Sequence, residues 1–319
     1  MIVAIPQDIT AAGKDYLLEK GYELKVGTGD GSPEAIGGLL RDADALLART
    51  IVYTPDMIRA AHKIKVIARH GVGVDNLPVE YCRQQGIPVF NTPYANATSV
   101  AEHTIGLILV SLHDMVRSHI RVCNGEWAFR NALVCADISG KTLGIVGMGQ
   151  IGTLVAKKAM AAFDMNVIGY DAFLPAEQFP DGIACVDSIQ AVFQQADIVS
   201  LHAPSTPQTR NCVDRNMLAL MKPSATLINC ARGDLIVEED LYDALRSGTI
   251  KAAAVDVLRE EPPKPNHPLF SLENFIVTPH SAALTEESKD RMGLHAAMGI
   301  HAVLSGAYHG ETDALYRLV

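Results

Sequence analysis

The chain has 319 residues, a length that favours two domains. Its 48% apolar and 20% charged residues are ordinary for a folded protein and exclude a disordered chain. With 36 acidic against 27 basic residues the net charge is -9. Lacking a basic cluster, the sequence predicts no nucleic-acid partner and no anionic membrane surface as partner.

No stretch approaches the ~20 apolar residues of a membrane span. The best run, Thr104 to Leu112, stops at His113. The opening MIVAIPQDIT has no basic region ahead of an apolar one, so it does not read as a signal peptide. Cys82, Cys123, Cys135, Cys185, Cys212 and Cys230 lie far apart with no C-x-x-C pair. That pattern predicts reduced thiols and a cytoplasmic location, with no disulfide frame, and no metal site is asked for.

Taken in chain order, the first hundred residues alternate short apolar runs with helical patterns. Ile2–Ile5, Glu23–Val26, Ala45–Ala48, Lys65–Ala68 and Ile87–Phe90 read as strands. Pro33–Arg41, Pro55–Ala61 and Val79–Gln85 read as helices, with Pro33 and Pro55 where a first turn tolerates them. Such alternation means a parallel α/β sheet. One long apolar helix is expected over Ser99–Asn124, packed at a domain or subunit interface or simply buried. A second α/β unit starts at Thr142, with strands at Leu143–Val146, Asn166–Tyr170, Ile198–His202, Thr226–Cys230, Ala252–Asp256 and Phe275–Thr278. The prolines of Glu261–Pro268 make that stretch a loop. A last helix, Thr285–Ser305, is expected to pack back on the first domain. The fold class is therefore α/β, with two doubly wound parallel-sheet domains. The first is discontinuous, 1–98 with 285–319, and the second spans 99–284.

Gly147, Gly149 and Gly152 form G-x-G-x-x-G directly after an apolar strand and directly before the helical pattern Gln150–Ala161. Gly147 permits the tight turn, Gly149 lets a pyrophosphate approach the backbone, and Gly152 lets helix and strand pack closely. Helix N-terminal amides favour phosphate charge. Asp171 ends the next strand, where an acid accepts from a ribose 2′-hydroxyl and repels a 2′-phosphate. No arginine follows it, so the expected cofactor is NAD (NADH) rather than NADP. Taken alone, Asp171 also reads as a strand-end cap.

Ligands in open parallel sheets bind beyond the carboxyl ends of strands. His202 and Pro204, Arg232, Asp256 and His280 each follow a strand of the second domain. Reduction of a 2-keto acid needs a grip on the carboxylate, which suits an arginine fork. It needs a proton for the developing alkoxide, which suits a histidine. It also needs a carboxylate to orient that histidine. Arg232, His280 and Glu261 match these roles, although each singly also reads as a turn cap, a loop histidine or a solvated acid.

These residues resemble the D-isomer-specific 2-hydroxyacid dehydrogenases, the family that includes 3-phosphoglycerate dehydrogenase. The resemblance runs from about residue 44 to 300, through Arg69-His-Gly-Val-Gly-Val-Asp-Asn76, Val100-Ala-Glu-His-Thr104, Gly144–Gly152, Ser200-Leu-His-Ala-Pro204, Asn229-Cys-Ala-Arg-Gly-Asp234, Ala254-Val-Asp-Val257, Glu261-Pro262 and Thr278-Pro-His280. It implies two Rossmann-like domains with a cleft between them, a homodimer, and hydride transfer between nicotinamide and C2 of a small D-2-hydroxy acid or 2-keto acid. The expected chemistry is phosphoglycerate dehydrogenase-like or hydroxypyruvate/glyoxylate reductase-like, with Arg232, Glu261 and His280 catalytic. The cofactor would touch Gly147, Gly149, Gln150, Ile151, Gly152, Asp171, His202, Ala203, Pro204, Cys230, Ala231, Arg232, Asp256, His280 and Ala282. The amides of Val72 and Gly73 would hold the substrate carboxylate, with Arg232 and His280 also on the substrate. Arg49 and Arg69 flank that loop and serve either a second anionic group or solvent. The last 15 residues, with Tyr308, His309 and Tyr316, depart from the usual family ending, and no appended regulatory domain is expected. An NAD(H)-sensing binding protein on the same fold is the alternative function.

Overall fold

The computed structural model describes residues 1–308 and, for the backbone only, 315–317. The chain first makes β1 (Ile2–Ile5), α1 (Ala11–Glu19), β2 (Glu23–Val26), α2 (Pro33–Leu40), β3 (Ala45–Ala48), α3 (Pro55–Ala60), β4 (Val66–Arg69), α4 (Val79–Gln84) and β5 (Val89–Asn91). There follow α5 (Ala97–Leu112), α6 (Met115–Cys123), β6 (Thr142–Val146), α7 (Gln150–Phe163), β7 (Asn166–Tyr170), β8 (Ile183–Cys185), α8 (Ile189–Gln195) and β9 (Ile198–Leu201). The chain continues with α9 (Arg215–Leu218), β10 (Thr226–Asn229), α10 (Glu238–Ser247), β11 (Ala252–Val255) and β12 (Phe275–Val277), and closes with α11 (Glu286–Leu304) and β13 (Leu315–Arg317). Two compact units result, Met1–Ala97 with Ala283–Val319, and Thr98–Ala282. Each is a parallel-sheet α/β domain of Rossmann-like arrangement. Among the described residues no helix is long and apolar enough to cross a membrane.

In the first unit six parallel strands run in the order β13-β5-β4-β3-β1-β2. Successive side chains point to opposite faces of a strand, so each strand feeds two cores. Val3, Ile5, Leu47, Val66 and Ala68 pack with Leu17 of α1 and Ala296, Ala297 and Ile300 of α11. Ala4, Leu46, Ala48, Ile67 and Val89 pack on the other face with Ile36, Leu40, Ile58 and Cys82. Helix α1 escapes sequence patterning because its buried stripe is only Gly13 and Leu17. Gly13 is small for a reason that lies far along the chain: a Cβ there would stand 2.6 Å from the Gly293 carbonyl oxygen of α11. Strand β13 adds to the sheet beside β5, whereas His309 lies outside the described residues.

The second unit has seven parallel strands in the order β12-β11-β10-β9-β6-β7-β8. Val199, Leu201, Leu227, Ala253 and Val255 pack under Val192 and Phe193 of α8, Met217 and Leu218 of α9, and Leu241 and Leu245 of α10. The strand order reverses at β6/β9, and dinucleotides bind at such switch points. The expected single helix over Ser99–Asn124 is two helices. Asp114 breaks it by adopting a left-handed φ of 51°, and its carboxylate takes the Arg117 guanidinium (Nε 2.7 Å). No side chain of α6 is buried. Strand β8, only three residues long, also escapes the sequence reading.

Candidate active site

The glycine turn leaves buried β6 at Val146 and enters α7 at Gln150. Gly147 has φ +96°, and a Cβ on it would stand 2.7 Å from the Ala203 nitrogen and 2.8 Å from the His202 carbonyl carbon. Gly152 is tighter still, its Cβ 2.1 Å from the Gly147 oxygen. Gly149 differs, since a Cβ there meets nothing within 4 Å. Two glycines are thus required by the protein's own packing, and the third faces open space. The first-turn amides of Gln150 and Ile151 stand beside that space, as helix N-terminal amides have no intrahelical acceptor. A diphosphate fits this cradle on backbone groups alone.

Asp171 acts as the strand-end cap that one reading of its position foresaw. Its Oδ2 accepts the Met148 amide (2.8 Å), and Oδ1 accepts those of Phe173 (2.9 Å) and Leu174 (3.1 Å). The carboxylate therefore caps the strand end and fixes the glycine turn. Oδ2 keeps acceptor capacity for a hydroxyl. At the end of β9, the His202 Nε2 lies 2.8 Å from Ser200 Oγ, and burial pushes its imidazole down to about 4. His202 is neutral at pH 7 and backs the turn at Gly147, with Ala203 half-buried and Pro204 exposed beside it.

At the end of β10, buried Asn229 folds the next turn. Its Nδ2 donates to the Arg232 carbonyl (2.9 Å) and its Oδ1 accepts the Ala231 amide (3.0 Å). Cys230 is buried, and burial pushes its thiol up to about 12, so it stays protonated. Arg232 donates from Nη1 to the Ala231 carbonyl (2.7 Å). Gly233 follows because nothing larger fits: a Cβ would stand 2.0 Å from the Leu258 carbonyl carbon and 2.5 Å from the Arg259 nitrogen. This contact presses the Arg232 segment against the loop that carries Glu261.

Glu261 Oε1 accepts the Leu258 amide (2.9 Å), and Oε2 lies 2.7 Å from His280 Nδ1. Burial opposes ionisation of Glu261. The His280 hydrogen bond, the Leu258 amide and the Arg232 charge together outweigh it, so the carboxyl titrates below its usual range. An ionised carboxylate only accepts, so His280 donates from Nδ1 and leaves Nε2 for other work. His280 holds a left-handed φ of 51°, which costs a non-glycine residue about 1–2 kcal/mol. Asp256, 1% exposed, holds it there. The His280 amide donates to the Asp256 carbonyl (2.8 Å), while the Ser281 and Ala282 amides donate to Oδ1 and Oδ2 (2.8 Å each). Thr278 Oγ1 donates to Oδ1 as well. Asp256 therefore spends both carboxylate oxygens on the loop of His280.

In the first unit the sheet edge after β1, β3 and β4 gathers the remaining sequence-predicted residues. Gln7 Oε1 accepts the amides of Thr50 (2.8 Å) and Ile51 (2.9 Å), and Arg49 donates to the Asp8 carbonyl. Asn76 Nδ2 donates to the carbonyls of Arg49 (2.8 Å) and Ile51 (2.7 Å), and its Oδ1 accepts Arg69 Nε (3.2 Å). Arg49 and Arg69 are half-buried and tied into one frame. Buried His70 is pushed down to about 4, first by burial and then by the charges of Arg49 and Arg69. In the next loop Gly71 takes φ +138°, and Asn91 Nδ2 donates to the Val72 carbonyl (2.9 Å). The amides of Val72 and Gly73 meet no acceptor among the described residues.

Comparison with known proteins supplies what this geometry anticipates. The family model described as "D-isomer specific 2-hydroxyacid dehydrogenase, NAD binding domain" matches residues 105–282. The chain is 38% identical over 281 residues to the hydroxypyruvate reductase of Thermotoga maritima, covering 87% of this chain and 90% of that one. The chain belongs to this dehydrogenase family. It is 45% identical over 292 residues to the D-3-phosphoglycerate dehydrogenase of Methanocaldococcus jannaschii, covering 91% of this chain and 55% of that one. It thus spans about half the length of that relative. Among solved structures it is similar to the TT0316 protein of Thermus thermophilus, with a TM-score of 0.89, 34% identity, and 96% and 97% of the two chains covered.

Within the second unit, Glu261, His280, Asp256 and Arg232 come from three strand ends. Sequence reasoning passed over the residues that hold them. Glu238 Oε1 accepts the Arg259 amide (2.9 Å), and its Oε2 meets His267 Nε2 at 3.2 Å. Thr278 and Asn76 stand inside motifs that carry the family resemblance, and that position was the one available signal. Nothing in the sequence marks Gln7, because its partners lie on a different strand end.

Proposed function

We propose that the protein is an NAD-dependent oxidoreductase acting between a small D-2-hydroxy acid and its 2-keto acid. The observation that carries this reading is the Glu261–His280 hydrogen bond of 2.7 Å beside Arg232, in the same unit as the glycine turn. Gly147, Gly149, Gly152 and the first amides of α7 would hold NAD, which would supply the hydride chemistry at C2. The chain's own residues do the rest. In oxidation His280 Nε2 takes the hydroxyl proton, and in reduction it returns one to the carbonyl oxygen. Glu261 holds the ring by Nδ1 and stabilises the imidazolium. The Arg232 guanidinium polarises the carbonyl and grips the carboxylate. In the first unit, the amides of Val72 and Gly73 would hold a carboxylate, and Arg49 with Arg69 would read a second anionic group. Asp171 selects NAD over NADP, and Cys230, Ala231 and Asp256 would border the nicotinamide ring.

The active form in this reading is a cytoplasmic homodimer. Helix α6 buries none of its side chains, and Trp127, just beyond it, is 65% exposed. Met115, Val116, Ile120 and Val122 are exposed with it. A second copy of the chain would cover this apolar face.

The test is loss of NADH absorbance against a panel of 2-keto acids, with NADPH in parallel. Hydroxypyruvate, glyoxylate, phosphohydroxypyruvate, sulfopyruvate and branched keto acids span the substrate class. Turnover by the wild type that collapses in His280→Gln supports the reading. NADH binding without turnover on any member overturns it and favours the sensing alternative.

A further inference from the structure

His103 has no place in the reaction as described so far. It sits on α5, with its side chain 24% exposed, and its Nε2 lies 3.0 Å from Thr278 Oγ1 and 3.6 Å from Asp256 Oδ1. The direction of these bonds follows from chemistry. An Asp256 carboxylate only accepts, so the Thr278 hydroxyl donates its one proton to it. The Thr278 oxygen is then left as an acceptor, and His103 must donate from Nε2–H. The sequence of donors is His103 to Thr278 to Asp256.

We infer that His103 is a positioning residue that acts on His280 through Thr278 and Asp256. The inference rests on the dehydrogenase reading, in which His280 exchanges the proton. His280 occupies a left-handed backbone conformation that its own side chain does not favour. The loop from Thr278 to Ala282 is held in that conformation in part because Asp256 collects Thr278 Oγ1 and the amides of Ser281 and Ala282 on one carboxylate. Asp256 is reached from α5 through the Thr278 hydroxyl, and His103 is the group that reaches it. Without the His103 donor, the Thr278 hydroxyl is free to rotate away from Oδ1. The loop then loses one of the contacts that hold the His280 ring against Glu261.

A series arrangement makes a specific signature. His103→Leu lowers kcat about tenfold, with KM for the keto acid and NADH affinity little changed, because only the geometry of the proton donor is disturbed. His103→Gln, whose Nε2 amide still donates, restores most of kcat. Thr278→Val reproduces the loss, and His103→Leu/Thr278→Val is no slower than Thr278→Val alone. Wild-type kcat in His103→Leu, or a double variant whose losses multiply, overturns the inference. A readout that needs no turnover separates this from the dehydrogenase reading. In the 15N-histidine-labelled 319-residue chain, with His280 assigned from His280→Gln, the ring nitrogens of His280 shift in His103→Leu and not in His103→Gln. Unchanged His280 signals in His103→Leu overturn the inference even if no keto acid is turned over. A wild type silent on every keto acid, with those shifts present, instead overturns the dehydrogenase reading and leaves the positioning role standing.

Discussion

The two units share a parallel sheet with helices on both faces, yet they furnish their switch points with different chemistry. In the second unit the reversal at β6/β9 presents backbone: three glycines, one of them facing open space, and the first amides of α7. In the first unit the reversal at β1/β3 presents side chains: Gln7, Arg49 and, one strand on, Arg69. Backbone amides recognise a diphosphate that never varies, and a glycine turn serves it with no side chain to tune. Side chains at strand ends can vary with less disturbance than the strands themselves, which in the proposed reading would suit a substrate that differs among relatives. In the proposed reading, a constant cofactor and a variable acid would call for different edges of the same architecture.

The comparison breaks most sharply at the reacting groups. His280→Gln or Arg232→Ala should lower turnover by about three orders of magnitude or more while NADH still binds, as read by NADH fluorescence. Full activity in either variant removes the proposed chemistry from the second unit.

The glycines sharpen the backbone half of the contrast. Gly233→Ala and Gly152→Ala force a Cβ into backbone and should cost about 2–4 kcal/mol of stability, seen as a lowered denaturation midpoint. Gly149→Ala meets nothing in the protein and should leave that midpoint alone, yet weaken NADH binding severalfold. Equal effects of Gly149→Ala and Gly152→Ala on stability would erase the distinction drawn between them.

The side-chain half predicts a selective effect. Arg49→Ala and Arg69→Ala should raise KM about tenfold for a keto acid with a second anionic group and spare a simple one. Uniform losses across the panel would return both arginines to a framework role.

Acid should weaken both units together. His70 and His202 are each held near 4 in the fold, below an ordinary 6.5. Between these values the unfolded chain binds protons that the folded chain refuses, so stability falls as pH drops from about 6.5 to about 4 and the slope ends below that. Urea midpoints across this range should fall less steeply in His70→Gln and in His202→Gln. An unchanged slope in both would mean that these imidazoles are not buried neutral.

Much of the second unit was legible in the sequence, because the turn from β6 to α7 is local. Strand, glycines, helix and Asp171 follow one another along the chain, and each is dictated by backbone sterics within a few residues. Asp171 shows the limit: its side chain also holds the Met148 amide, a contact that no spacing announces. Helix α1 was missed for the same reason that Gly13 is a glycine, a neighbour in α11. The break at Asp114 was missed because an apolar run does not reveal a left-handed residue at its end.

The sequence by itself determined the alternation of strands and helices, the nucleotide turn, and the types of residue present at the strand ends. These are consequences of periodicity and of chain geometry over one turn. Only the tertiary structure decided which of those residues meet. It paired Glu261 with His280, bent Asp256 onto the loop of His280, joined Arg49 to Arg69 through Asn76, and set His103 behind Thr278. A hydrogen bond requires atoms about 3 Å apart, and that proximity is a property of the packed chain, not of spacing along it.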